Sequence, residues 1–285
     1  MTLTDKYYQL RIRTDQPVND LVVGLLSNVG AEGFVEEVNV LSCYFAEAKW
    51  NPSFQDDVMK FLGKLKDEGK IAEFDVDVST VLNQDWNSQW EESILPIEVT
   101  KNIAIKPSWK EYHGAAKIVI EIDPKMSFGT GHHETTRMMV QLLEKYIKGG
   151  EKILDVGTGT GVLAIAAAKL GAASCFAVDT DEWSIDNSSE NIRRNGVAGI
   201  VNVSKNEIET VAEGDFDIVM ANLNRNTLLY IGTELYKRCK KGGILLIAGV
   251  LTLDEKDLLD SYGKIGFSRL EVMREAEWSS LAFKK

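Results

Sequence analysis

The chain has 285 residues, which is long for one domain and favours two. Its 44% hydrophobic and 26% charged residues are ordinary for a soluble globular protein. The formal net charge of −11 at pH 7 argues against a general nucleic-acid binder, because such a protein needs a basic footprint.

Residues 1–79 predict a small α+β domain. Alternating apolar residues predict strands and helically spaced ones predict helices, in the order βαββαβ of a ferredoxin-like fold. The domain carries 8 Lys and Arg against 14 Asp and Glu and no catalytic constellation, so we interpret it as a binding module. Its acidic surplus fits either a well-solvated surface or a docking surface for a basic partner. The predicted elements are a strand over Tyr8–Ile12, a helix over Pro17–Val29, strands over Phe34–Val38 and Val40–Ala46, a helix over Pro52–Leu65 and a strand over Phe74–Val78.

A helical linker is predicted after this domain. Trp86, Trp90 and Ile94 recur at helical spacing and stop before Pro96, which is typical of residues that pack between domains. Two strands are then predicted, over Ile97–Lys106 and Lys117–Ile122. The predicted boundaries are 1–79 for the ferredoxin-like domain, 80–96 for the linker and 97–285 for the larger domain.

The stretch from Phe128 to Thr136, Phe-Gly-Thr-Gly-His-His-Glu-Thr-Thr, precedes a predicted helix that runs to Ile147. A glycine-flanked Thr130 at a helix N-terminus presents N–H groups and a hydroxyl suited to a carboxylate. His132 and His133 suggest a metal site. We predict none, because adjacent residues do not face a common ligand and no further His or Cys cluster completes the site.

The stretch Ile153–Gly161, Ile-Leu-Asp-Val-Gly-Thr-Gly-Thr-Gly, predicts a strand, a sharp glycine turn and the start of an alanine-rich helix ending at Gly171. Glycine lets the backbone turn tightly and a ligand approach without a Cβ in the way. A dinucleotide fingerprint would need a third glycine where Val162 stands, which disfavours a nicotinamide oxidoreductase. A glycine-rich turn in some other doubly wound protein is the alternative.

Two polar residues follow later predicted strands. Asp179 ends the strand Cys175–Val178, 22 residues beyond Gly157, where an acidic side chain can accept hydrogen bonds from both ribose hydroxyls of an adenosine. Asn222 ends the strand Phe216–Asn222, at the edge where ligands bind in open α/β sheets. The remaining predicted elements are a helix over Asp181–Asn195, a strand over Ile200–Val203, a helix over Thr227–Cys239 closed by Lys240–Gly243, a strand over Ile244–Val250, a helix over Asp254–Tyr262 and a hairpin of Phe267–Met273 with Trp278–Phe283.

Cellular location is predicted from two further features. Cys43, Cys175 and Cys239 are odd in number and far apart, which fits buried thiols in a reducing cytosol. No apolar run approaches the ~18 residues of a membrane span, and the N-terminus lacks the basic and apolar parts of a signal peptide. We therefore expect a cytoplasmic protein without a membrane partner.

The glycine motif with its spaced Asp179 resembles the class I S-adenosylmethionine-dependent methyltransferases. Together with Phe128–Thr136, Met220–Leu223, Asp85-Trp86 and Glu277-Trp278, it resembles the PrmA-type enzymes, which methylate protein eleven of the large ribosomal subunit. The resemblance spans almost the whole chain. It implies a mostly parallel doubly wound sheet with an antiparallel C-terminal hairpin, preceded by the ferredoxin-like domain.

The resemblance also implies chemistry and partners. The N-terminal domain would recognise the ribosomal protein, free before assembly, and the larger domain would methylate its lysine or α-amino groups as a monomer, without binding nucleic acid. S-adenosylmethionine would be the methyl donor and S-adenosylhomocysteine the product. The implied cofactor contacts are Thr136, Gly157, Asp179 and Asn222, to which the loop chemistry adds Phe128, Thr130 and Gly159, with Asn222 also orienting the substrate amine. A small-molecule methyltransferase and a catalytically silent cofactor-binding scaffold are the alternatives.

Overall fold

The larger of two units that the chain forms, residues 94–285, is organised around one seven-stranded sheet, and residues 1–93 form the other. The computed structural model describes residues 6–15, 22–23, 26, 30–31, 33–37, 40–82, 94–124 and 127–285. The predicted linker tryptophans, Trp86 and Trp90, lie outside these residues, as does most of the predicted helix over Pro17–Val29.

In the N-terminal unit, four antiparallel strands lie in the order β2-β3-β1-β4, as in a ferredoxin-like fold. One sheet face carries Leu10, Leu41 and Phe45. These residues are buried together with Val58 and Leu62 of the helix over Ser53–Asp67. Val22 and Leu26 are buried in the same core. The described elements of the unit are β1 (Lys6–Thr14), β2 (Gly33–Glu37), β3 (Val40–Ala46), α1 (Ser53–Asp67) and β4 (Phe74–Leu82).

A small three-stranded sheet begins the larger unit and corrects one prediction. The segment Ile97–Lys106 is not one strand but a hairpin, because Thr100 caps a tight turn. Its Oγ1 accepts hydrogen bonds from the N–H groups of Asn102 and Ile103, both at 3.1 Å. The strands, in the order β5-β6-β7, are β5 (Ile97–Glu98), β6 (Ile103–Lys106) and β7 (Ile118–Glu121).

The main sheet has the strand order β10-β9-β8-β11-β12-β14-β13. The first five of these strands are parallel, and the C-terminal hairpin is antiparallel. The predicted class I methyltransferase fold is confirmed. The strands are β8 (Lys152–Val156), β9 (Ser174–Asp179), β10 (Val201–Lys205), β11 (Phe216–Asn222), β12 (Cys239–Leu251), β13 (Ser268–Glu275) and β14 (Trp278–Lys284).

Helices cover the main sheet, and their apolar residues fill two buried clusters. Their bounds lie within three residues of the predictions, and the largest difference is that the helix predicted to end at Tyr262 runs to Ile265, but the segment after Arg238 was predicted wrongly. Cys239 already pairs with Phe216 there, and the strand register shifts before Ile244 pairs with Ile218. Lys240–Gly243 is therefore an irregular start of β12, not a turn that closes the helix. The helices are α2 (Glu134–Tyr146), α3 (Val162–Lys169), α4 (Glu182–Arg194), α5 (Arg225–Arg238) and α6 (Glu255–Ile265).

Among the described residues, Cys43, Cys175 and Cys239 are buried free thiols. No described helix is long and apolar enough to cross a membrane.

Candidate active site

Two glycine-containing segments meet at the carboxyl end of β8. Gly157, Gly159 and Gly161 have left-handed backbone, with φ of 75°, 54° and 82°. A Cβ on Gly159 would lie 2.5 Å from the carbonyl oxygen of Phe128, a backbone atom that no rotamer change can move. Glycine is therefore required at 159 by its own conformation and by the close approach of the second segment.

Gly157 has a neighbour in the structure that the sequence does not reveal. The sequence predicts that a side chain here would obstruct a ligand. In the structure, a Cβ on Gly157 would lie 2.4 Å from Cδ2 of Leu223, which directly follows β11. The side chain of Leu223 could move aside, so the stronger demand for glycine at 157 is its left-handed backbone, with φ of 75°.

Asp179, the last residue of β9, holds the glycine loop in place. Its Oδ2 accepts a hydrogen bond from the N–H of Gly159 at 2.9 Å, and its Oδ1 accepts one from the N–H of Asp181 at 3.1 Å. A carboxylate has about four acceptor positions, so two bonds leave capacity for ribose hydroxyls. Asp179 therefore has an anchoring role beside the predicted contact with an adenosine.

Asp155 is a buried carboxyl beneath the glycine loop. Its Oδ2 accepts a hydrogen bond from the hydroxyl of Thr158 at 2.7 Å, whereas its Oδ1 has no partner among the described residues. Burial raises the pKa of Asp155 to about 7, and the nearby charge of Asp179 contributes to the rise. The protein therefore favours the protonated form of this carboxyl.

The segment from Phe128 to Thr136 is bonded to the glycine loop. Thr160 donates its N–H to the carbonyl of Phe128 at 3.0 Å and its hydroxyl to the carbonyl of Gly129 at 2.8 Å. Thr136 is fully buried, and its hydroxyl has no partner among the residues described. Because a buried hydroxyl is normally hydrogen-bonded, Thr136 is suited to a ligand atom.

Asn222 emerges beside the glycine loop because β11 and β8 are parallel neighbours, with Ala221 opposite Val156. Its Nδ2 donates a hydrogen bond to Oγ1 of Thr135 at 3.2 Å. This is the position at which the sequence predicts it.

A cavity of about 700 Å³ lies at this edge of the sheet. Thr130 does not line it; instead, its hydroxyl accepts a hydrogen bond from the N–H of His132 at 3.2 Å. The other predicted site residues all line the cavity, and they are Phe128, Thr136, Gly157, Gly159, Asp179 and Asn222.

The cavity is also lined by residues that the sequence analysis missed. Asn206 and Glu207 follow β10 directly, so the rule that ligands bind at the carboxyl ends of parallel strands could have found them. Gly249 interrupts β12, where a Cβ would lie 2.2 Å from the carbonyl oxygen of Leu223. Tyr230 of α5 is 81% exposed, and no sequence signal places it at the cavity.

Three rings stand in a row among the lining residues. The ring of His133 lies between those of Phe128 and Trp278, with centroids 5.2 Å and 4.9 Å away and edge-to-face angles of 63° and 64°. The described residues contain no group of three or more His, Cys, Asp or Glu side chains that could hold a metal ion.

The cavity fits S-adenosylmethionine. Asp179 offers carboxylate oxygens for a ribose, and apolar side chains, among them Val162 and Ile208, also line the cavity. The unpaired hydroxyl of Thr136 is available for the amino-acid part of the molecule.

Comparison with known proteins agrees with this geometry. The family described as Ribosomal protein L11 methyltransferase (PrmA) matches residues 6–285. The chain belongs to this family. It is 34% identical to the Ribosomal protein L11 methyltransferase of Chlorobaculum tepidum over 282 residues, which cover 97% of this chain and 96% of the relative. It is 32% identical to that of an Exiguobacterium species, covering 98% and 99% of the two chains.

A solved structure agrees as well. The ribosomal protein L11 methylase of Lactobacillus delbrueckii subsp. bulgaricus superimposes with a TM-score of 0.62 at 30% identity and covers 66% of this chain and 97% of its own. The predicted membership of the PrmA-type family is confirmed. The chain is an S-adenosylmethionine-dependent methyltransferase with a Rossmann-like catalytic fold.

Replacing Asp179 with alanine should weaken binding of S-adenosylmethionine by about 2–3 kcal/mol, because the variant loses charge-assisted bonds to the ribose and the anchor of the Gly159 N–H. Isothermal titration calorimetry would measure this change. The exposed Asp186, on α4, provides a matched control as Asp186→Ala. Unchanged affinity in the Asp179 variant would remove this carboxylate from the binding site.

Proposed function

We propose that this enzyme transfers methyl groups from S-adenosylmethionine to lysine side-chain amines, and to the α-amino group, of ribosomal protein L11. The observation that carries the proposal is that the L11 methyltransferase family matches residues 6–285, because this match includes the N-terminal unit as well as the methyltransferase unit. An enzyme acting on a small molecule would not need the N-terminal unit.

The proposed cofactor contacts divide by chemistry. Asp179 accepts hydrogen bonds from the ribose hydroxyls, and the backbone of Gly157 and Gly159 gives the ligand close access. Thr136 provides the hydroxyl for the amino-acid part of the cofactor. Phe128 and Asn222 complete the contacts at the reacting end, while Thr130 supports the loop without direct contact.

Bound S-adenosylmethionine supplies a methyl group on a cationic sulfur that leaves as a neutral thioether, so the reaction needs no acid catalyst. The protein has to hold the attacking nitrogen about 3 Å from the methyl carbon and in line with the breaking bond. The new carbon–nitrogen bond uses the lone pair of the amine, and the product ammonium then loses a proton to solvent.

The amine has to be neutral when it attacks. A lysine with a pKa of about 10.4 is neutral about one time in 10³ at pH 7.4, which costs about 4 kcal/mol. A desolvated site lowers that cost by lowering the lysine pKa. The side-chain carbonyl of Asn222 accepts an N–H of the neutral amine and so orients its lone pair, although an amide cannot act as the base.

Recognition of the substrate is assigned to the N-terminal unit. Residues 1–79 carry six excess negative charges, which would attract a basic ribosomal protein over long range. We propose the N-terminal unit as the recognition domain and residues 97–285 as the catalytic domain; the predicted boundary at 79, before a linker over 80–96, falls inside β4, which ends at Leu82. The enzyme acts as a cytoplasmic monomer on the ribosomal protein before assembly, without binding nucleic acid.

Incubating the enzyme with radiolabelled S-adenosylmethionine and a cell extract should label one protein, identified by mass spectrometry as ribosomal protein L11 with methylated amines. Purified ribosomal protein should also be labelled, and assembled ribosomes labelled less. Label only in small molecules would favour a small-molecule methyltransferase. Cofactor binding without any label would favour a silent scaffold.

A further inference from the structure

A series of three hydrogen bonds runs from Asn222 into the first turn of α2, one from Asn222 to Thr135 and two between Thr135 and His133. Nδ2 of Asn222 donates to Oγ1 of Thr135 at 3.2 Å, and that oxygen lies 2.8 Å from Nδ1 of His133. Nδ1 of His133 also accepts the N–H of Thr135 at 3.3 Å and so caps the helix. The sequence analysis singled out His133 only as a metal candidate and did not consider Thr135.

The direction of each bond follows from the available protons. Because Nδ1 of His133 accepts the N–H of Thr135, it carries no proton, and the hydroxyl of Thr135 must donate to it. That hydroxyl has one proton, so towards Asn222 it can only accept. The amide nitrogen of Asn222 therefore points to Thr135, and its Oδ1 is the atom left for the cavity.

The far end of this hydrogen-bonded series, His133, is packed against two aromatic rings. The ring of His133 lies between Phe128 and Trp278. Thr135 is fully buried. A flipped Asn222 would bring its carbonyl oxygen to a hydroxyl whose proton is already used, so the flipped state has no compensating bond.

We infer that Thr135 and His133 are positioning residues, which fix the side-chain amide of Asn222 with its oxygen toward the substrate amine. This inference depends on the proposed amine methylation, because only a reacting N–H group needs an acceptor at that point. Thr135 and His133 need not touch the substrate. Their effect is to keep one of two amide orientations.

The test is Thr135→Val, which keeps the shape of the side chain but removes the hydroxyl. With the ribosomal protein as substrate, kcat should fall at least about 10-fold, because a flipped Asn222 amide no longer accepts the N–H that orients the lone pair of the attacking amine. KM for the ribosomal protein and affinity for S-adenosylhomocysteine should stay within about twofold. Thr135→Ser restores the hydroxyl and should recover most of the rate. His133→Asn, made in the otherwise wild-type enzyme, keeps both a helix cap and an acceptor for the Thr135 hydroxyl, so it should retain most of the rate.

The neighbouring threonine provides a matched control. Thr136→Val removes a hydroxyl assigned to the cofactor, so it should weaken S-adenosylhomocysteine binding at least about fivefold, whereas Thr135→Val should not. A double-mutant cycle separates positioning from a structural effect. In an Asn222→Ala background, Thr135→Val should cause no further loss of kcat, because there is no amide left to orient.

A ligand-free readout is nitrogen-15 NMR of the imidazole rings, which is simple to assign because the chain has only three histidines. His133 should show an unprotonated Nδ1 in both proteins, because the backbone N–H of residue 135 remains, and its Nδ1 resonance should shift in Thr135→Val because the hydroxyl donor is lost. Equal kcat in wild type and Thr135→Val, or the same loss with and without Asn222, would overturn the inference while leaving the methyltransferase function intact. No methylation by the wild type would instead overturn the proposed function.

Discussion

A chain that begins at Ile94 should bind S-adenosylmethionine nearly as well as the full chain but methylate ribosomal protein L11 orders of magnitude more slowly. Residues 94–285 form a compact unit with their own buried clusters, and every proposed cofactor contact lies within them. Without the N-terminal unit, the substrate lysine is no longer delivered by a tethered docking event, so its effective concentration falls. Calorimetry measures the affinity for S-adenosylmethionine, and labelling of the purified ribosomal protein measures the methylation rate.

The start at Ile94 is chosen because β4 extends to Leu82, beyond the predicted end of the domain, and because Ile94 is buried and is the first residue of the larger unit. A short peptide containing one acceptor lysine serves as the control substrate, and both chains should methylate it at similar rates. Activity of the full chain on the ribosomal protein should decline with salt if the acidic surplus steers the partner. Equal rates of the two chains on the intact ribosomal protein would refute the recognition role.

Asp155→Asn should stabilise the ligand-free protein relative to the wild type by an amount that increases with pH. The pKa of Asp155 is raised to about 7 in the folded state, mainly by burial, so the fold favours the neutral carboxyl. The buried neutral carboxyl therefore contributes its full stabilisation to the wild type below about pH 4, the pKa of the unfolded chain. This stabilisation is lost as the pH rises through about 7. A pKa raised from about 4 to about 7 corresponds to a gain of about 4 kcal/mol for the variant at pH 8 over pH 4.

Denaturant unfolding of both proteins at several pH values would measure this difference. The amide that replaces the carboxyl can still accept the bond from Thr158, and any cost of its unpaired NH₂ group is independent of pH. Asp186→Asn, at an exposed position, should show no comparable trend. A difference between Asp155→Asn and wild type that is constant from pH 4 to pH 8 would contradict the raised pKa.

Much of the fold could be predicted because its signals are local. The strand β8, the glycine turn and α3 follow one another within 20 residues, and the carboxyl ends of parallel strands place Asp179 and Asn222 beside them. The hairpin within Ile97–Lys106 could not be predicted from apolar alternation. It depends on Thr100, whose hydroxyl competes with the strand for two backbone N–H groups.

The remaining parts of the site depend on contacts between distant segments. Gly249 is demanded by the backbone of Leu223, and Trp278 reaches the cavity at the start of β14. Gly249 has no local pattern that marks it, and Trp278 is marked only by the family resemblance of Glu277-Trp278, which does not place it at the cavity. The same limit hides the contact between Gly157 and the side chain of Leu223, since Leu223 follows another strand.

The bonds from Thr160 to Phe128 and Gly129 have a consequence for protein engineering. The segment that contains Phe128 and Gly129 and the glycine loop are separated in the sequence by α2 and β8, yet they are hydrogen-bonded to each other in the fold. A chimera that takes its glycine motif from one relative and its equivalent of Phe128–Thr136 from another would combine two segments that do not match each other at these contacts. Recombination libraries of this enzyme should therefore place no crossover between residues 128 and 161, and exchanges that move the block whole should keep cofactor binding.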